Sequence, residues 1–144
     1  MTMFCRGVRG ATTIENDTSE EIIIATGELL QMMVYVNDID MEDVASAIFT
    51  TTVDINAAFP ALAARKMGWG NVPLICAHEM TVPNSLQKCI RILLHWNTPK
   101  TAEEVQHIYI KGAKNLRPDL SELQQLPDLP TPASLLDDLQ INKG

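Results

Sequence analysis

The sequence predicts an α+β protein, a mixed five-stranded sheet carrying two main helices. Three observations lead there. Five segments show the alternation or β-branched enrichment of strands, only two longer stretches have helical periodicity with start signals, and one sheet face stays apolar with no helix left to cover it. A second copy of the chain would cover that face, so homo-oligomerisation is expected from the pattern alone.

The opening MFCRGVRGATTI alternates as a strand, with Cys5, Gly7 and Arg9 on one face and Phe4, Arg6 and Val8 on the other. NDTSEEIIIATGELLQMMVYVND then reads as a helix. Thr18 and Glu21 form a capping box at its start, and Ile22, Leu29, Met33 and Val36 share a buried stripe. EDVASAIFTTTVD is a second strand, rich in β-branched residues and broken at Asp54 and Asn56. In FPALAARKMG, Pro60 suits a first helical turn, the alanines propagate it and Gly68 stops it, which leaves Arg65 projecting from the last turn.

VPLICAH is the third strand, and the turn-forming VPNS separates it from the fourth, QKCIRILLHWN. TPKTAEEVQ is expected to form a short helix on a second capping box, Thr101 to Glu104, before HIYIKG makes the fifth strand. The organisation is therefore a domain over residues 1–120 followed by an acidic, proline-containing tail over 121–144. That tail has too little apolar content to repay ordering and is expected to be flexible, apart from a transient helical turn at ASLLDDLQ.

Composition excludes several classes. At 144 residues one core is affordable, and no apolar run approaches the ~18 residues of a membrane span. A net charge of -7 argues against a nucleic-acid surface. The start has no secretory pattern, and three cysteines without framework spacing suit a reducing compartment, so the expected location is the cytoplasm. No GxGxxG, Walker A or HExxH motif occurs, and Cys76, His78, His95 and His107 match no zinc spacing.

Arg91 is the residue that needs explaining. Strand parity sets it with Cys89, Leu93 and His95, opposite the apolar face of Ile90, Ile92, Leu94 and Trp96. A partly buried guanidinium keeps its proton and demands an anion. The residues alone leave two readings open, an ion pair with Glu79 or a contact with a ligand. Arg9, Arg65 and Arg117 weigh toward the ligand, because one carboxylate cannot answer four guanidinium groups and a multiply anionic small molecule can. Tyr109 could add a phenolic hydrogen bond, although a buried tyrosine is more often core.

The stretches RGVRGATT, FPALAAR, VPLICAHEM, KCIRIL, HIYI and LRPDL, in this order, resemble the monofunctional chorismate mutases of the AroH class over about residues 4–120. The resemblance implies a homotrimer with a pseudo-α/β-barrel core and active sites between subunits. It implies conversion of chorismate to prephenate with no cofactor, no metal and no covalent intermediate. Residue by residue, it puts Arg9, Leu74, Ile75, Cys76, Glu79, Arg91 and Tyr109 on one subunit's side of the cleft. Phe59, Ala61 and Arg65 resemble the neighbour's contribution, and Leu116 and Arg117 the segment that covers the ligand.

In that family Arg91 corresponds to the cation at the ether oxygen, where negative charge develops as the C–O bond breaks. Glu79 and the backbone around Cys76 resemble the groups that hold the substrate hydroxyl, while Arg9 and Tyr109 resemble carboxylate ligands. Strict alternation would send Cys76 and Glu79 to opposite faces, so a bend or strand end near His78 is expected. Leu62 and Gln106 depart from the family pattern where relatives carry lysine and arginine, which points to altered binding at the cleft mouth rather than lost catalysis. Two rival readings are an imine-deaminase-like trimer of the same architecture and a non-catalytic trimer that senses a dicarboxylate.

Overall fold

The computed structural model describes residues 2–122 and 124–137. Five strands, β1 (Phe4–Thr13), β2 (Val44–Thr51), β3 (Leu74–His78), β4 (Cys89–Thr98) and β5 (Ile108–Tyr109), form one sheet in the order β3-β2-β4-β1-β5. β4 runs antiparallel to both β1 and β2, while β3 and β5 add in parallel at the two edges, so the sheet is mixed as expected. Two main helices, α1 (Ser19–Asn37) and α2 (Ala61–Lys66), lie on one face, and a single turn, α3 (Pro118–Ser121), follows β5.

α1 starts where the capping box puts it. The Thr18 hydroxyl accepts from the Glu21 N–H at 3.2 Å, but the Glu21 carboxylate reaches further back, accepting from the Glu15 and Asn16 N–H groups. Its Ile22, Leu29 and Met33 are fully buried and Val36 packs at the margin of the core. β1 approaches so closely that a Cβ at position 10 would lie 2.4 Å from Met33 Sδ, which is why RGATT needs glycine there. Between helices and sheet sit Val8, Phe49, Ile92, Leu94 and Trp96, each removed from water; burying a side chain of this size is worth about 1.5–3 kcal/mol.

Two expectations are corrected. The Thr101–Glu104 box forms both of its hydrogen bonds, yet no helix follows; it closes one turn only. Asn37 explains this. Its side chain binds the backbone N–H and C=O of Gln106 at 2.8 and 2.9 Å, pulling the chain extended just after the turn. HIYIKG supplies only two strand residues, since Lys111 adopts a left-handed φ of 52° and the chain winds into a 3-10 segment over Lys111–Leu116.

The tail has structure within the described residues. Ala133–Leu135 forms a 3-10 turn, and Leu135 is fully buried against Ile23 and Ala63. The last part of the segment expected to turn, 138–140, lies outside the described residues.

Candidate active site

The register places the site. On the face away from α1 and α2, Thr50 of β2 pairs with Arg91 of β4, Arg91 pairs with Ala11 of β1, and Ala11 with Tyr109 of β5. Arg91, Glu79, Arg9, Tyr109, Leu116 and Arg117 thus gather on or beside one face, with Ile75 exposed on the same face at the β3 edge.

Arg91 Nε lies 3.1 Å from Glu79 Oε2, which also accepts a 2.6 Å hydrogen bond from the Thr50 hydroxyl. Of the two readings that the residues left open for Arg91, the structure shows the ion pair with Glu79. A half-buried guanidinium takes the nearest carboxylate. The pairing is incomplete, however. Nε is enclosed, and Glu79 stands at ion-pair distance but off the N–H direction, so Nε has no hydrogen-bond acceptor among the described residues. Beside it, burial pushes the Cys89 thiol up to about 11, with the Arg91 charge opposing, so this cysteine is a neutral packing group.

Arg9 stacks with its guanidinium carbon 5.9 Å from the Tyr109 ring centroid. Its main-chain N–H donates to His107 Nδ1 at 3.0 Å, and burial, then the Arg9 and Arg117 charges, hold the His107 pKa below its ordinary value. Tyr109 is buried with Ala11, Cys89 and Ala113, and Leu116 packs on this cluster. Arg117 is exposed and makes a two-pronged pair with Asp119 at 2.9 and 3.1 Å, which raises its pKa.

The other predicted residues are on the opposite side. β3 ends at His78 as expected, but no bend intervenes: the Glu79 N–H still donates to Thr51 O at 2.8 Å, and alternation continues. Parity prevails, so Cys76 and Leu74 pack toward the helix-side core while Glu79 reaches Arg91. Cys76 lines a cleft of about 420 Å³ with Phe59, Pro60, Ile55 and His78. Phe59 is 73% exposed, Arg65 is exposed, and Ala61 is buried in the core at the start of α2. Phe59, Ala61 and Arg65 therefore do not share a face with Arg91 of the same chain.

Sequence reasoning missed Thr50. In TTTVD it reads as strand propensity, and only the pairing of β2 with β4 reveals that its hydroxyl braces Glu79.

A sheet face that carries a half-satisfied guanidinium, a braced carboxylate and further arginines defines a class: a protein that works on a small anion by fixed charge. The particular family follows from kinship. Residues 5–120 match the family chorismate mutase type I. The chain is 49% identical to chorismate mutase AroH of Thermus thermophilus over 120 residues, spanning 83% of this chain and 98% of that protein. It is 42% identical to chorismate mutase AroH of Bacillus subtilis, covering 83% of this chain and 94% of the relative. A solved chorismate mutase from Clostridium thermocellum superposes with a TM-score of 0.75 at 47% identity, covering 76% of this chain and 97% of that one. This chain belongs to the type I chorismate mutase family and is an enzyme of that kind. The deaminase-like and sensing alternatives are accordingly disfavoured.

Proposed function

We propose that this protein isomerises chorismate to prephenate by a cofactor-free pericyclic rearrangement, in clefts between the subunits of a homotrimer. The observation that carries the reading is Arg91: a cation held by Glu79, itself braced by Thr50, on an open sheet face, with an enclosed Nε that has no hydrogen-bond acceptor among the described residues. As the ether C–O bond breaks and the new C–C bond forms, charge accumulates on the ether oxygen. A guanidinium already in place there stabilises the transition state more than the substrate.

Arg9 and Tyr109 would bind a carboxylate, and Glu79 with the backbone near Cys76, Ile75 and Leu74 would orient the ring and its hydroxyl. Leu116 and Arg117 would cover the ligand. Holding the side chain over the ring supplies the entropic part of catalysis. Phe59, Ala61 and Arg65 would come from a neighbour, a division supported by their place on the opposite side of the sheet. The trimer is further supported by the open face, where Ile75 is 62% exposed and Ile48 and Leu93 are only half-buried. Three free cysteines agree with a reducing, cytoplasmic setting, and among the described residues no helix is long and apolar enough to cross a membrane.

The test is turnover. Purified protein incubated with chorismate, without added metal or nucleotide, is expected to consume it with formation of prephenate. No acceleration over buffer would overturn the reading, and a monomer by light scattering would overturn the assembly.

A further inference from the structure

The chain runs on beyond the family match, and the described part of that extension is tied down at both ends. Near the site, Gln124 Nε2 donates to the His107 carbonyl at 2.6 Å, and His107 is the residue whose ring holds the Arg9 N–H. Leu126 packs on the main core. At the far end, Leu135 is fully buried between α1 and α2 with Ile23 and Ala63, and Lys66 Nζ donates to the Asp137 carbonyl.

The Leu135 slot exists because residue 27 is glycine. A Cβ there would come within 2.1 Å of Leu135 Cδ1 and 2.8 Å of Cδ2, distances that a side chain does not tolerate. Glycine inside a 19-residue helix is otherwise a poor choice, since alanine is the better helix former, so the sequence gives up helix propensity to admit Leu135. Between the two anchors stand Pro127, Pro130 and Pro132. Proline spacing of this kind makes a semi-rigid span, about 34 Å for eleven residues at ~3.1 Å each when fully extended.

We propose that Gly27 and Leu135 form a lock that anchors a proline-stiffened strap, and that this strap positions the Arg9–His107 corner and the Leu116–Arg117 cover of the active site. The inference rests on the chorismate mutase reading of those residues. Gly27 and Leu135 touch no substrate; they are positioning residues. A cover that must become ordered at binding lowers affinity, and a strap anchored in advance removes part of that loss without touching the chemical step.

Gly27→Ala blocks the slot while improving the helix, Leu135→Ala empties it, and a stop after Glu122 removes the strap. The full-length chain and these three variants are compared by steady-state kinetics with chorismate and by amide hydrogen exchange over residues 107–117. The expected result is a KM raised roughly five- to tenfold in all three, with kcat within about twofold, and faster exchange over 107–117. Far-ultraviolet circular dichroism of Gly27→Ala should show parental helix content at the assay temperature, which separates loss of the strap from loss of α1. The double variant Gly27→Ala/Leu135→Ala should add nothing to either single change, because both break one lock. An unchanged KM in variants of an active parent would overturn the strap. If the parent itself does not consume chorismate, the catalytic reading fails instead, and exchange over 107–117 that Gly27→Ala leaves unaltered would still overturn the strap.

Discussion

Replacing Arg91 by alanine separates catalysis from stability. The two side chains are 31% and 17% exposed, so the ion pair is part-buried, and because Glu79 keeps the Thr50 hydroxyl its loss is expected to cost on the order of 1 kcal/mol of folding stability. The same guanidinium, acting on charge that appears only in the transition state, is expected to be worth about 3–4 kcal/mol, two to three orders of magnitude in kcat/KM. Arg91→Ala should therefore melt within a few degrees of the parent and lose at least about a hundredfold in turnover. Arg91→Lys keeps the charge but not the planar fork, so one ammonium must serve both Glu79 and the ligand, and intermediate activity is expected. Loss of chorismate absorbance measures the rate and circular dichroism the melting. An Arg91→Ala enzyme within tenfold of parental kcat/KM would refute the assignment of the developing charge to this residue.

Thr50→Val removes the donor that braces Glu79 while keeping the β-branched shape; about a tenfold drop in kcat/KM is expected, with Thr50→Ser near the parent, and parental activity in the valine variant would show that the brace is idle. His107 has a lowered pKa in the folded state, so between that value and the unfolded value near ~6.5 the unfolded chain binds a proton that the native chain does not. Stability contributed by neutral His107 is complete above that window and declines as pH falls through it. Urea midpoints at pH 7.5 and 5 should show a smaller difference in His107→Gln than in the parent, and equal differences would remove His107 from this linkage. Ile75→Asp puts a charge on the open face, and the expected result is a folded chain that no longer assembles and has lost turnover with it; a monomer with parental kcat would refute the shared site.

Much of this arrangement is readable along the chain because strand alternation is local. Cys89, Arg91 and Leu93 must share a face whatever the tertiary structure, and an arginine among isoleucines and leucines marks that face as unusual. Alternation also settles Cys76 and Glu79: β3 ends at His78, as expected, and parity still carries on to Glu79 without a bend. What a linear reading cannot supply is which strands are neighbours. Thr50 acquires its role only through the β2–β4 register, and Gly27 acquires its purpose only when a leucine more than a hundred positions later fills the space above it. The Thr101–Glu104 turn failed as a helix for a similar reason: a distant side chain, Asn37, competes for the backbone that a longer helix would have used.

The sheet itself divides the labour. Its helix side buries Val8, Phe49, Ile92 and Leu94 against Leu29, Leu30 and Met33, so Arg9 of β1 and Arg91 of β4, at the other parity, emerge on the open side. α2 is bound to the helix side by Ala61 and Ala64, so Arg65 cannot turn around the sheet edge to join Arg91 in its own chain. Cations from both sides can converge on one dianion only if a second copy presents its α2 edge to the first copy's open face. The same contact would cover Ile75, and the apolar face and the divided charge set therefore have one common solution in the proposed trimer.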